Sequence, residues 1–203
     1  MTMRRLGLGT LTVLAMLLIA VPAGAVSAKG RLLTVTALPA GWNVTYHRDR
    51  REVISSRCLS ALDKARKGEN GATVTFAEGD TRKLAEELVA GPKAVKQLRL
   101  LNRELRGCPR VTFTTHGTTL HLRKEKTALP KVGPTSASYL FRGSVTGVAI
   151  GADVVTFRAK RCAGYIVYRS FTSFNASTVA AYAREAVAKA DGKRVAPPST
   201  TAA

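Results

Sequence analysis

The sequence predicts an α+β fold in one domain, an antiparallel β-sheet flanked by helices. Three observations lead there. At 203 residues the chain suits one domain with a sizeable core. Residues 92–108 (PKAVKQLRLLNRELRGC) carry a helix-period apolar face. Two later stretches read as hairpins, and runs of paired strands separated from helices indicate α+β.

The order of elements starts with an export signal. Arg4 and Arg5 precede an apolar run over 6–19, and small residues close it at Ala23-Gly24-Ala25 and Val26-Ser27-Ala28. Both triplets fit signal-peptidase sites, so 1–28 is read as a signal peptide cleaved after Ala28 or Ala25. The rival reading is an uncleaved anchor, since 6–28 is just long enough to span a bilayer. Residues 31–36 (RLLTVT) are β-prone, 38–42 (LPAGW) form a turn, and 42–46 can make a second short strand. Ser56 can cap a helix over 58–67 with Cys58, Leu59, Leu62 and Ala65 inward. Residues 72–77 (ATVTFA) alternate as a strand. Asp80 or Thr81 is expected to cap a helical piece through Val89, broken at Gly91-Pro92.

The central helix follows. Pro92 suits a first turn and Gly107 an end, with Pro109 as a stop. Ala94, Val95, Leu98, Leu101, Leu105 and Cys108 share one face; Lys96, Arg99, Arg103 and Arg106 form a basic outer stripe. In the first hairpin Val111 and Phe113 pair with Leu122 and Leu120 across His116-Gly117. A Pro/Gly connection over 129–136 leads to 138–150, a strand pair or one long bent strand with glycines at 143, 147 and 151. The second hairpin is expected to pair Val155 with Tyr168 and Phe157 with Ile166, its tip near Arg161-Cys162. Asn175 or Ser177 caps a last helix over 178–190. The domain spans 29–190, and 191–203 read as a disordered tail.

Composition narrows the partners. Hydrophobic content of 45% is ordinary, but a net charge of +19 favours contact with polyanions. Export makes cytoplasmic nucleic acid an unsuitable partner and leaves acidic wall polymers, anionic lipid or an unknown small molecule. The stripe Lys96, Arg99, Arg103 and Arg106 is the candidate polyanion-binding face, set against a plain solvated surface. In an exported chain three cysteines allow three single disulfides. Cys58–Cys108 is preferred because both occupy core-facing helix positions. Cys162 is left over, either inert or able to link a dimer, and Lys160 and Arg161 beside it would lower its pKa. Asn43-Val-Thr45 and Asn175-Ala-Ser177 match a glycosylation pattern at a frequency chance explains.

Catalytic and metal chemistry find little support. His47, His116 and His121 do not converge, no serine sits in a nucleophile-elbow pattern, and no glycine-rich loop suits phosphate. Glu86, Glu87 and Asp153 imply no acid–base pair. No cofactor, metal site or catalytic residue is expected.

The series Leu38-Pro39-Ala40-Gly41-Trp42, Cys58 on a first helix, Cys108 closing the central helix, a Pro/Gly connection into paired strands and a final Ala-rich helix resembles the PknH-like extracellular sensor-domain family of actinobacteria. The resemblance covers 31–190. It implies an antiparallel sheet flanked by helices and a cleft for a ligand, with no catalytic residues. The chain departs from the family's pattern in having no kinase domain, no lipid-attachment cysteine and a third cysteine without a partner. The expectation is a secreted, non-enzymatic, sensor-like binding domain of the cell envelope. The alternatives are a basic structural or adhesion protein and, further off, a small extracytoplasmic enzyme.

Overall fold

The computed structural model describes residues 27–46, 71–115, 118–133, 135–160, 162–171 and 175–193. Among them, eight strands form one fully antiparallel sheet in the order β1-β2-β3-β8-β7-β6-β5-β4. The strands are β1 (Asn43–Tyr46), β2 (Gly71–Glu78), β3 (Arg82–Ala90), β4 (Arg110–Thr115), β5 (Thr118–Glu125), β6 (Ala137–Val145), β7 (Val148–Arg158) and β8 (Cys162–Ser170). Helix α1 (Ala94–Gly107) and helix α2 (Ala176–Ala190) lie over β7 and β8. The predicted α+β class is therefore the observed one.

The two helices cover opposite faces. Side chains alternate along a strand, and Val154 and Val167 pack with Leu101 and Leu105 of α1, whereas Val155 and Ile166 pack with Val179, Ala183 and Ala186 of α2. The α1 side holds Val111, Leu120, Leu122, Phe141, Ile150 and Cys108. The α2 side holds Trp42, Val74, Phe76, Leu84, Leu88 and Phe157 together with Leu32, Leu33, Ala37 and Leu38. Each helix has a local reason to stop or start. Lys124 Nζ donates to the carbonyls of Leu105 and Arg106, satisfying acceptors at the end of α1. Asn175 caps α2, its side-chain oxygen accepting from the backbone of Ser177 at 2.9 Å and Thr178 at 3.4 Å.

Four expectations need correcting. Residues 31–36 make no strand; two short 3-10 turns, Lys29–Arg31 and Val35–Ala37, carry the chain across the α2 face. The expected helix through Val89 is strand β3. Leu84 and Leu88 recur at a spacing of four, which fits a helix face and a strand face alike. Pairing on both edges, with β2 and with β8, decides for the strand. Gly79 at φ +57 lets the β2–β3 turn close. The second hairpin pairs Val155 with Ile166 and Phe157 with Gly164, two residues away from the expected register. A slip of two keeps every side chain on its face, so the buried set survives. Within α1, Val95 is only half-buried and Gln97 is buried instead.

The first hairpin has the expected register, Val111 opposite Leu122 and Phe113 opposite Leu120. The stretch 138–150 resolves into the β6–β7 hairpin, turning at Thr146 and Gly147, both at positive φ. Residues 191–193, expected in the tail, still bond to the end of α2. The expected helix over 58–67 lies outside the described residues, as do residues 194–203 and most of the stretch read as a signal peptide.

Gly164 has no room for a side chain, since a Cβ there would collide with the Glu87 carbonyl oxygen and the Leu88 side chain. Gly164→Ala should destabilise the fold by about 1–3 kcal/mol, because it wedges the central strand pair. Gly107→Ala, with open space around it, should change stability by less than about 1 kcal/mol. Urea unfolding of the two variants checks the contrast.

Candidate functional site

A cavity of about 360 Å³ opens on the α1 side, where β3 begins and β8 ends. Leu120 and Ile150 give it a buried apolar floor, and the half-buried Phe171 adds an aromatic wall. The bond from the Phe171 backbone N–H to the Thr81 carbonyl, 3.0 Å, holds that wall beside the β2–β3 turn. Lys83 and Arg169 supply its positive charge, and Asp80 adds a carboxyl group at the rim. The two cations are direct partners in the β3–β8 register, so both side chains leave the sheet on the same face. Asp80 and Thr81 stand at the turn. The arrangement offers an apolar body a floor and an anionic group two cations.

The rest of the α1 side is structural. The Tyr139 hydroxyl donates to the Asn102 carbonyl at 3.0 Å, and Thr156 Oγ1 donates to Asn102 Oδ1 at 2.7 Å, which ties the helix to β6 and β7. Beneath α1 the Tyr165 hydroxyl donates to Glu87 Oε2 at 2.9 Å, so Glu87 is buried with a partner. The α2 side carries an aromatic cluster. Trp42 meets Tyr182 edge-on with centroids 5.8 Å apart, and Tyr168 lies 6.0 Å from Tyr182. Trp42 is thus a core residue. Burial pushes the Tyr182 hydroxyl up to about 12.

The residues singled out from sequence fall in separate places. Lys96, Arg99, Arg103 and Arg106 are all exposed on the outer face of α1, away from the floor of the cavity. Cys108 is fully buried at the foot of α1, and Cys58 lies outside the described residues. Cys162 is free, but it is the first residue of β8 and only 2% exposed. Burial raises its pKa, outweighing Arg31, so the expected lowering by basic neighbours is not found. A sulfur so enclosed is poorly placed to link two chains or to react. His121 is exposed on β5, and His47 and His116 are outside the described residues. Among the described residues no three His, Cys, Asp or Glu side chains gather as metal ligands, and no helix is long and apolar enough to cross a membrane.

Lys83, Arg169 and Phe171 escaped the sequence reading. A signal for the first two existed in the facing of Lys83 and Arg169, but it needs 82–90 to be a strand. Asp153 also gains meaning only in the fold. It is buried opposite Tyr168 on β8 and Leu140 on β6, and burial pushes its carboxyl up to about 6 while Arg142 pulls the other way. Its folded-state pKa lies above the unfolded value of 3.8, so the stability it contributes is complete below about pH 4 and is lost as pH rises through about 6. Asp153→Asn should remove that loss. Relative to the parent, the variant should gain up to about 1.4 kcal/mol per pH unit across this window and nothing further above it, as read from denaturant unfolding at several pH values.

No family model matches the chain, and no curated protein matches it at the sequence level. Its fold does have a counterpart among solved structures. The extracellular domain of PknH from Mycobacterium tuberculosis superimposes with a TM-score of 0.60 at 14% identity, covering 83% of this chain and 98% of that one. The two share a fold, an antiparallel sheet with helices, across nearly all of that extracellular domain.

Proposed function

We propose that this chain is an exported, non-catalytic, sensor-like binding domain that takes an amphipathic anion in the Lys83–Arg169 cavity. The observation that carries the reading is the pairing of two cations with an apolar floor in one cavity. A carboxylate or phosphate would sit between Lys83 and Arg169, and its apolar portion would lie on Leu120, Ile150 and Phe171. The volume of about 360 Å³ falls in the range of small-molecule sites. The fold shared with an extracellular domain supports the sensor-like character and the extracellular setting.

Export by cleavage of the N-terminal signal belongs to the same proposal. Ala28 is buried in the core and its carbonyl accepts from Arg31 N–H at 3.0 Å, which favours cleavage after Ala25, leaving Ala28 with the domain. We also propose a Cys58–Cys108 disulfide, supported by the full burial of Cys108 at the helix foot. Its closure of a long loop would stabilise the fold by roughly 4 kcal/mol.

A second reading has its own observation. The exposure of all four stripe residues on α1 suits attachment to an acidic envelope polymer through charge alone. Such attachment weakens steeply with salt, whereas a ligand seated on an apolar floor persists.

Native mass spectrometry of the protein from its producing culture tests the first reading. A discrete extra mass is expected on the parent chain, surviving 0.5 M salt exchange (on the order of a 5 Å screening length) and absent from Lys83→Gln/Arg169→Gln. A bare parent chain, or an adduct unchanged in the double variant, would sink it. The same spectrum reports the cleavage site and, as two missing protons, the disulfide. For the second reading, changing Lys96, Arg99, Arg103 and Arg106 to Gln should abolish retention on the envelope; undiminished retention refutes it.

A further inference from the structure

Residues 28–38 cross the α2 side of the sheet as a strap. Leu32, Leu33, Ala37 and Leu38 are buried there against the cluster that includes Leu84, Leu88, Ala186 and Ala190. Two polar ties hold it. Arg31 Nη1 donates to the Ala190 carbonyl at 2.6 Å, at the end of α2. The Leu33 backbone N–H donates to Glu86 Oε2 at 2.6 Å. Glu86 stands in the middle of β3 and is 0% exposed. Its register partners are apolar, Val74 on β2 and Ile166 on β8, and its second oxygen, Oε1, has no hydrogen-bond partner among the described residues.

We propose that residues 28–38 are an acid-latched strap, held on the sheet while Glu86 is protonated and released when Glu86 ionises. An ionised carboxylate needs several donors or a close cation to be stable out of water. Here it has one donor from the strap. The charged and titratable groups that reach this neighbourhood are Lys189 and Asp191 at the end of α2, Arg31 on the strap and the Cys162 thiol on β8. Lys189 favours the carboxylate, but burial outweighs it and the Leu33 bond together. Lifting the strap brings water to both oxygens without opening the β2–β3–β8 ladder. The strap is the cover that can yield.

The sign follows from proton binding. With the strap closed the Glu86 carboxyl is pushed up to about 8, and lifting the strap lowers it toward the ordinary 4.5. The closed form therefore holds a proton that the open form has lost across this window. Opening becomes easier as pH rises, and levels off above about 8. This inference stands apart from the cavity, which lies on the other face of the sheet.

Hydrogen–deuterium exchange on the full chain tests the latch between pH 5 and pH 8, with rates corrected for intrinsic pH dependence. In the parent, protection over 28–38 should fall by up to about tenfold per pH unit while staying well below the protection of β7, since the strap lifts without unfolding the sheet. Glu86→Gln should show a flat profile over the same residues. Lys189→Gln removes a charge that favours the carboxylate, so its fall should continue to higher pH; this variant decides the matter should Glu86→Gln fail to fold. The proposal is overturned by a flat parent profile, by strap protection as high as that of β7, by a Glu86→Gln slope equal to the parent's, or by an unmoved upper limit in Lys189→Gln.

Discussion

Strand β3 lies between β2 and β8 with its backbone bonded along both edges, so each of its side chains must go to one of two covered faces. That constraint shapes most of the molecule. Leu84, Leu88 and Ala90 anchor the α2 side, and Val89 meets Ala94 and Leu98 of α1 on the other. The adjacent carboxylates Glu86 and Glu87 are forced to opposite faces and both end up buried. Glu87 finds the Tyr165 hydroxyl, and Glu86 finds the Leu33 N–H of the N-terminal segment. Lys83, on the Glu87 side, is delivered to the cavity opposite Arg169.

The same strand links the two functional proposals while keeping them apart. One face carries an anion-suited cavity over the α1-side core; the other carries a protonation-sensitive contact with the segment that leads into the domain. Binding and latching therefore use alternate residues of one strand. The basic stripe of α1 belongs to neither and faces outward, as its helical spacing requires. The likeness to the PknH extracellular domain extends to the fold; the Lys83–Arg169 pair and the Glu86 contact are features read from this chain's own side chains.

Much of the fold was legible in the sequence where pattern and burial agree. Leu98, Leu101 and Leu105 set the inner face of α1, and the alternation in 111–122 set the register of the β4–β5 hairpin. Asn175 opposite the start of an Ala-rich run marked the α2 cap. The reading went wrong where local preference and tertiary pairing diverge. In RKLAEELVA the Lys, Leu, Ala and Glu residues are good helix formers, and only two flanking strands make the extended form the better solution. The cavity was lost with that element, because the facing of Lys83 and Arg169 exists only in the strand. For Cys162 only the direction of the pKa shift was misread: its charged neighbours in sequence pointed to a lowered value, whereas burial raises it, and the free, enclosed sulfur fits the inert alternative.

By itself, then, the sequence determined the fold class, the inner face of the central helix, the placement of its basic stripe and the cap of α2, features that local pattern displays. The tertiary structure decided which face each β3 carboxylate occupies, how Lys83 meets Arg169, and that residues 28–38 cover Glu86. Those outcomes arise from contacts between segments tens of residues apart, where desolvation and backbone pairing override the preferences that a local window can display.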